Sequence, residues 1–270
     1  MTKPESDRSF TEDVARFYES TLVPMIFLPY ARDLALRALQ LQPDAVLEVA
    51  CGTGVVTRAL ARVLDDACEI YATDLNEAMV SHAEQVGTSR PVEWSSADVM
   101  TLPFEDDSFD IVVCQFSIMF FPDRVAAYRE IRRVLRPGGT FLFNVWKRIE
   151  ENEFADVVTR ALCDRYPADP PAFLERTPHG HGSSIEIRSE ISAAGFARCE
   201  LIPREDVSHA SGPDVPAIAY CQGTPIRNEI EVREPGGLEE ATAQAAAALR
   251  DRFGEGPIEA RISAVVVEAS

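Results

Sequence analysis

The sequence predicts an α/β fold in which a parallel sheet carries helices on both faces. Short β-branched and aliphatic runs alternate with helical patterns, and the connections between them are brief. The clearest of these runs are apolar throughout, as is typical of strands that are buried on both faces. Strands are expected near residues 45–50, 69–73, 92–95, 109–115 and 139–146, with helices near 54–64, 76–85 and 123–135. This order implies right-handed crossovers between parallel strands.

The segment before this alternation, residues 1–40, is predicted to be a helical arm that acts as a lid. A helix is expected from Phe10 to Glu19, and another near residues 31–41. The apolar segment between them, residues 21–30, contains Pro24 and Pro29. Because proline lacks a backbone donor and disrupts a helix interior, this segment is predicted not to be one continuous helix.

Residues 41–270 are predicted to form one domain, with insertions at about 151–184 and 204–256. After Trp146 the pattern loosens, and a loop-rich stretch covers residues 167–182. Helices are expected over residues 153–166, 185–194, 214–221 and 238–253, and the last two strands over 196–203 and 262–268. The last of these helices is alanine-rich, a composition that favours helix by itself.

Composition indicates a soluble, cytoplasmic protein with one core. With 270 residues, 46% of them hydrophobic, the chain can bury a full domain core. The first residues are polar, and no apolar run approaches the roughly 18 residues that a membrane span needs. The six cysteines occur singly, so we expect buried thiols in a reducing compartment and neither disulfides nor a metal site. The sequence leaves a homodimer open.

The charge balance argues against nucleic acid as a partner. The net charge is −18, with 44 acidic residues against 26 basic ones, so a polyanion would meet a repulsive field. The densest group of arginines lies on one predicted helix at its C-terminal end, where arginines complement the helix dipole. A small molecule is therefore the expected partner.

A glycine-containing turn is the most informative motif. Val46 to Val49 form a buried-strand run that breaks into small residues and two glycines, Gly52 and Gly54, before a helix begins. A side chain at either glycine would block a ligand from approaching the backbone, and a helix N-terminus attracts anionic or polar groups. The turn therefore predicts a nucleotide-like ligand lying against bare peptide.

A dinucleotide fits such a turn, and so does another nucleotide-like ligand. A dinucleotide fingerprint requires a third glycine three residues after Gly54, and this chain has Thr57 there, which weakens the dinucleotide interpretation. An acidic residue about 20 residues further on holds a ribose diol in either case, and Asp74 occupies that position. Asp74 thus cannot distinguish the two ligands.

The combination of Glu48 in the first strand, Asp98 after the third, and the run Phe109 to Phe116 resembles the class I S-adenosylmethionine-dependent methyltransferases, of the ubiquinone and menaquinone C-methyltransferase-like subgroup. The segment Arg136 to Thr140 matches the family's turn into strand 5. The resemblance is strong over roughly residues 40–147. It implies a Rossmann-like, seven-stranded, mostly parallel sheet whose last strand is antiparallel, with helical insertions near the C-terminus.

The resemblance also implies the cofactor, S-adenosyl-L-methionine, and the residues that bind it. The first-strand acid and the glycine turn hold the methionine end, Asp74 the ribose hydroxyls, and Asp98 the adenine amine. Relatives commonly carry Asp and Gly where this chain has Glu48 and Ala50. The cofactor-binding residues are expected to be Tyr18, Glu48, Ala50, Cys51, Gly52, Gly54, Asp74, Leu75, Met79, Asp98, Val99 and Gln115.

The acceptor side is expected to be apolar and aromatic, with few polar groups. Substrate contacts are predicted at Phe27, Tyr30, Phe116, Trp146 and His179. A general base is needed only if the acceptor loses a proton. The candidates for a catalytic group are His179 and Tyr18, and His181 in the same loop is a further possible base; exposed loop histidines are the alternative interpretation. The motif that holds an amine or amide in the family's base- and glutamine-directed members is missing after strand 4.

This pattern is compatible with three functions. We predict a methyltransferase that transfers a methyl group to a small, partly apolar molecule by in-line displacement. The alternatives are a non-methylating enzyme that uses the same fold, such as a lyase or a rearrangement catalyst, and a binding module that holds S-adenosylmethionine. The complete set of cofactor segments disfavours the binding module.

Overall fold

The computed structural model describes residues 17–270. Its centre is a seven-stranded sheet in the order β3-β2-β1-β4-β5-β7-β6. The strands are β1 (Ala45–Val49), β2 (Glu69–Asp74), β3 (Glu93–Ser96), β4 (Phe109–Gln115), β5 (Leu135–Trp146), β6 (Cys199–Ala210) and β7 (Ile258–Ala269). Strands β1 to β5 pair in parallel, whereas β7 runs antiparallel to both β5 and β6. The predicted fold class is confirmed.

Helices cover the sheet on both sides. They are α1 (Leu28–Gln40), α2 (Val55–Val63), α3 (Glu77–Val86), α4 (Arg124–Val134), α5 (Glu153–Arg165), α6 (Phe173–Arg176), α7 (Ser184–Ala193), α8 (Asp214–Gly223), α9 (Ile226–Arg233) and α10 (Leu238–Phe253), with a π-helix at Tyr18–Phe27 before them. Short 3-10 turns lie at Ile118–Phe120 and Ile149–Glu151. Two of these helices, α6 and α9, lie where the sequence predicted no helix.

Alternate strand residues divide the core into two layers. Val46, Ile111 and Leu142 belong to one hydrophobic cluster, which also holds the π-helix, α1 and α2. Leu47, Val112 and Phe141 belong to the other, which includes α4 and α7. This is the period of two that a pleated strand imposes on its side chains. Glu48 lies two residues after Val46 in β1, so its side chain is on the same face of the sheet, toward α2.

The N-terminal part of the chain differs from the expectation. Residues 21–30 are helical throughout, so the prediction of an interrupted segment is wrong: the chain winds as a π-helix to Phe27 and continues directly as α1. Pro24 lies inside the wider π-turns, and Pro29 lies in the first turn of α1, a position that proline favours because its φ is already helical. Residues 1–16, and with them most of the helix expected from Phe10, lie outside the described residues.

The sixth strand is longer than its sequence pattern suggested. It was expected over residues 196–203, but pairing with β7 continues to Ala210 opposite Ile258. Residues 204–206 are charged and look like a loop. Backbone pairing with a neighbouring strand far along the chain keeps them extended, and a periodicity analysis cannot detect that neighbour.

Candidate functional site

A cavity of about 590 Å³ opens where the parallel strands end. Its wall includes Val49, Asp74, Gln115 and Trp146, which lie at the carboxyl ends of β1, β2, β4 and β5. Open α/β sheets bind their ligands at this edge. The topology therefore brings residues from four separate segments to one place.

The glycine turn forms one side of this cavity. Gly52 adopts a φ of +55°, and a Cβ atom added there would have no heavy atom within 4 Å. The turn is tied to the sheet because the Cys51 N–H donates to the Thr73 carbonyl at 2.9 Å. Gly52 thus presents bare backbone to open space inside a rigid turn.

Gly54 has a different role in the structure. It is not among the residues that line the cavity. A Cβ atom at Gly54 would lie 3.1 Å from both the Ala83 Cβ and a ring carbon of Trp94, and its φ is +81°. The missing side chain therefore leaves room for α3 and β3 to pack against the start of α2.

Asp74 is held in place by two backbone donors. Its Oδ2 accepts from the Gly52 N–H and its Oδ1 from the Asn76 N–H, both at 2.8 Å. Burial raises the pKa of Asp74, and these two hydrogen bonds counteract the effect. Each carboxylate oxygen has a second lone pair, so the group can still accept hydrogen bonds from a ligand.

Glu48 lies beneath the turn and is almost inaccessible, with 1% of its surface exposed. The Thr57 hydroxyl donates to its Oε2 at 2.5 Å. Burial raises the pKa of Glu48 to about 8, while the hydrogen bond from Thr57 and the charge of Arg58 act in the opposite direction. The longer side chain compared with aspartate is thus accommodated by pairing with α2, and Glu48 still reaches the cavity wall.

The segments that follow β2 and β3 form another part of the cavity wall. Asp98 lines the cavity together with Leu75, Met79 and Val99. Its Oδ1 accepts from the Met100 N–H at 2.9 Å, which fixes the carboxylate at the turn. Leu75 is 62% exposed and Met79 only 5%, so the pair offers an apolar surface at the rim and a second one inside.

Two buried polar atoms on the cavity wall have no hydrogen-bond partner among residues 17–270. They are Gln115 Oε1 and Thr53 Oγ1. Burying such an atom without a partner costs free energy, about 1–3 kcal/mol in mutational data. Thr53 lies in the glycine turn and Gln115 ends β4, and both atoms are inaccessible to solvent although their residues line the cavity.

Aromatic rings form a further part of the cavity wall. Phe116 stacks on Trp146 with ring centroids 3.7 Å apart, and Phe27 of the π-helix stacks on Tyr18 at 5.0 Å. The two pairs meet through Phe27, which lies 5.8 Å from Phe116. All four residues line the cavity.

Tyr30 supports this wall from behind and does not line the cavity. It is fully buried and packs edge-on against Phe116 and Trp146, at 5.1 and 5.3 Å. Burial raises its pKa above the ordinary range for tyrosine.

Phe116 adopts a left-handed backbone conformation with a φ of +48°, which is uncommon for a residue with a bulky side chain. Its N–H donates to Asn144 Oδ1 at 2.9 Å. Asn144 is itself fully buried, so the surrounding core holds this strained residue in place.

His179 lies on the cavity wall, next to Trp146 at a ring-centroid distance of 6.0 Å. Its Nδ1 is 2.8 Å from the Lys147 carbonyl, so this nitrogen carries the proton and donates. Burial lowers the pKa of His179 to about 4. By contrast, His181 contacts Arg124 and does not line the cavity.

The sequence analysis missed several residues of the cavity wall. These come from the π-helix, α6, the segment around α8 and β7: Leu22, Ile26, Phe173, Leu174, Tyr220, Thr224 and Ile262. No local motif marks them, because only the fold brings them to the strand ends.

Among residues 17–270, none of the helices combines the length and the apolar character that a membrane span requires. Within the same residues, no group of three or more histidine, cysteine, aspartate or glutamate side chains is placed to hold a metal ion.

Comparison with known proteins identifies the domain. Residues 47–143 match the family model described as a methyltransferase domain. A demethylmenaquinone methyltransferase from Bacillus subtilis is 38% identical over 112 residues, which cover 40% of this chain and 48% of that protein. A sterol 24-C-methyltransferase from Gibberella zeae is 32% identical over 168 residues, covering 60% of this chain and 41% of that protein. The chain thus matches about half the length of these relatives.

A solved structure agrees at the level of the fold. The YcgJ protein from Bacillus subtilis superposes with a TM-score of 0.55 at 21% sequence identity, covering 89% of this chain and 97% of that one. The matched domain contains the glycine turn, Asp74 and Asp98, and it implies S-adenosylmethionine as cofactor. Residues 47–143 thus form a methyltransferase domain, and over this part the chain is similar to demethylmenaquinone methyltransferases.

Proposed function

We propose that this protein transfers the methyl group of S-adenosylmethionine to a small, partly apolar molecule. The observation that carries the proposal is that one continuous cavity joins a polar end at Gly52 and Asp74 to an aromatic end at Phe27, Phe116 and Trp146. A methyl donor and an apolar acceptor both need to be enclosed for direct transfer, and this cavity has a distinct environment for each.

The residues at the polar end fit the cofactor. The open space at Gly52 gives a ligand access to the backbone, and Asp74 and Asp98 line the same cavity. Asp74 would accept from the ribose hydroxyls and Asp98 from the adenine amine. Glu48 and the turn would hold the methionine end.

S-adenosylmethionine supplies a methyl group that is already activated on a sulfonium. The protein therefore has mainly to align the acceptor and exclude water. The π-helix contributes to both tasks, because Tyr18, Leu22, Ile26 and Phe27 line the cavity from one side. We take residues 17–40, the described part of the arm predicted over 1–40, to act as a lid on the domain formed by residues 41–270.

The named relatives support a small-molecule acceptor. By their names, one methylates demethylmenaquinone and the other a sterol. The apolar walls of the cavity suit a molecule of comparable character. The six cysteines are unpaired, which fits a reducing compartment such as the cytoplasm.

The test is label transfer from S-adenosylmethionine that carries a deuterated methyl group. The purified protein is incubated with this donor and a metabolite extract, and products are followed by mass. We expect labelled products that are lost in the Asp74→Ala variant. Tighter binding of NAD than of S-adenosylhomocysteine by the unmodified protein would overturn the assignment of the cofactor, and donor binding without any labelled product would overturn methyl transfer.

A further inference from the structure

The carboxyl groups of the cavity wall have no basic side chain beside them on that wall. Within residues 17–270, neither a lysine nor an arginine lines the cavity. The acidic residues that line it are Glu48, Asp74, Glu77 and Asp98. Negative charge on this wall is therefore balanced by backbone donors, by hydroxyl groups or by a ligand, and the carboxyl groups differ in how much of that balance the protein supplies.

Asp74 and Glu48 show this difference. Each carboxylate oxygen of Asp74 accepts from a backbone N–H, that of Gly52 or that of Asn76, at 2.8 Å. Glu48 is 1% exposed, and its Oε2 accepts from the Thr57 hydroxyl at 2.5 Å. Because a hydroxyl group can donate or accept, this contact suits a neutral carboxyl as well as a carboxylate. The geometry thus supports a charge on Asp74 and allows either protonation state at Glu48.

Burial decides between the two states of Glu48. It raises the pKa of Glu48 to about 8, against the hydrogen bonding of Thr57 and the charge of Arg58. The Arg58 guanidinium is shared, since it also pairs with Glu19 at 2.5 Å. The charge of Asp74 disfavours a second carboxylate nearby. The protein by itself therefore keeps Glu48 neutral at physiological pH.

Two thiols also lie within electrostatic range of Glu48. They belong to Cys51 in the glycine turn and Cys114 on β4, and burial raises the pKa of both, with a further contribution from the charge of Glu48. Both thiols are therefore neutral. A positive charge that stabilises the Glu48 carboxylate more strongly than Arg58 does has to come from a ligand.

A ligand with an ammonium group supplies such a charge. The methionine end of S-adenosylmethionine, which the proposed function places at the glycine turn beside Glu48, carries an ammonium and a carboxylate. An opposite charge nearby favours the ionised form of a carboxyl group, whereas a like charge disfavours it. Of the two ligand groups, the ammonium is therefore the one that can draw the proton off Glu48.

We propose that the ammonium group of the donor displaces the proton of Glu48, which makes Glu48 the residue that selects ligands with an ammonium group and couples their binding to proton release. In this step the O–H bond of the Glu48 carboxyl breaks, its electron pair stays on the carboxylate, and the proton passes to the solvent; the ammonium keeps its own protons. The proposal rests on the function proposed above and adds a pH dependence to the same site.

The test compares two ligands, S-adenosylhomocysteine and 5′-methylthioadenosine. Both carry adenine, ribose and a thioether, but the second lacks the amino-acid part and hence the ammonium. Calorimetry at pH 6.5 in phosphate and in Bis-Tris, two buffers with different heats of ionisation, should show that S-adenosylhomocysteine releases about one proton and 5′-methylthioadenosine none. Between pH 5.5 and 7.5, the association constant should rise roughly tenfold per pH unit for the first ligand and stay constant for the second.

Glu48→Gln removes the titrating group and preserves the size of the side chain. Proton release and the pH dependence of the affinity should both disappear in this variant. Glu69→Gln is the matched control, because Glu69 is an exposed carboxyl at the start of β2, outside the cavity wall, and its loss should leave both unchanged. The comparison of the two ligands in the unmodified protein needs no variant, so it decides the matter even if Glu48→Gln does not fold.

Three results would overturn the proposal. They are binding of S-adenosylhomocysteine without proton release, proton release that survives in Glu48→Gln, and equal release with 5′-methylthioadenosine. The last would assign the proton to a group that meets the ribose or the adenine, such as Asp74. Failure of the methyltransferase function has a different signature, namely proton-coupled binding of S-adenosylhomocysteine without label transfer to any product.

Discussion

The backbone N–H of Gly52 donates to Asp74 Oδ2 at 2.8 Å, which couples the glycine turn after β1 to the acidic residue that ends β2. The side chain that is expected to bind the ribose therefore also holds the turn that is expected to bind the methionine end. Changes at either residue should affect the whole polar end of the cavity.

Replacing Asp74 with alanine should weaken binding of S-adenosylhomocysteine by about 1–3 kcal/mol, because the ribose donors lose their acceptor. Calorimetric titration measures the change. Asp110→Ala is the control: Asp110 pairs with Arg136 at the opposite edge of the sheet, so its loss should leave the affinity unchanged. Unchanged affinity in a folded Asp74→Ala variant would remove Asp74 from the site.

The two glycines of the turn should respond differently to substitution. Gly52→Val places a side chain in open space at a φ of +55°, so it should abolish S-adenosylhomocysteine binding at a backbone cost of about 1–2 kcal/mol. Gly54→Val would also collide with Ala83 and Trp94, and should lower the free energy of unfolding further. Urea unfolding and ligand titration on both variants check this order. Normal binding by Gly52→Val, or its complete unfolding, would contradict the steric explanation.

Ala50 adopts a φ of +53°, a conformation that glycine reaches more easily. Ala50→Gly removes a strain of about 1–2 kcal/mol but loses about 0.5–1 kcal/mol through the extra freedom of the unfolded chain. We expect the free energy of unfolding, measured in urea, to rise by up to about 1.5 kcal/mol. A clear loss of stability would mean that the Ala50 methyl group makes a packing contribution larger than the strain.

The buried carboxyl of Glu48 should make stability depend on pH. Its pKa is raised to about 8 from the ordinary value of 4.5. Between these values the unfolded chain loses a proton that the folded protein keeps, so the free energy of unfolding falls as pH rises from about 4.5 and levels off above about 8. Urea unfolding at pH 5 and pH 8 should show a smaller drop in Glu48→Gln than in the unmodified protein. Equal drops would indicate that Glu48 is ionised in the folded state throughout.

Arg58 connects the π-helix to the glycine turn. Its guanidinium donates to Glu19 Oε1 at 2.5 Å and to the Thr53 carbonyl at 2.6 Å. S-adenosylhomocysteine should slow hydrogen exchange in residues 21–30 and 167–182 as well as in 50–54, because these segments enclose the ligand. Arg58→Ala should speed exchange in residues 18–27 without ligand, whereas Arg62→Ala, on the same helix, should not. Protection limited to residues 50–54 would contradict the lid.

The polar part of the cavity wall was predictable from the sequence because its residues lie in short motifs near strand ends. Glu48 lies within β1, Asp74 ends β2 and Asp98 follows β3, and parallel strands bring such ends together. Tyr220 and Phe173 were not predictable, because their place in the cavity depends on how α6 and α8 pack, over long sequence separations. Pro24 was misleading for a related reason: burial of Leu22, Met25 and Ile26 stabilises a helix that local propensity disfavours.

The cavity wall combines segments of two kinds. Strand ends supply its polar part and also Phe116 and Trp146, whereas Leu22, Phe173 and Tyr220 come from the π-helix, α6 and α8. The side chains of these three residues can be replaced while the glycine turn and Asp74 stay in place. They are therefore the positions at which directed mutagenesis should change the preference for the acceptor in the proposed reaction.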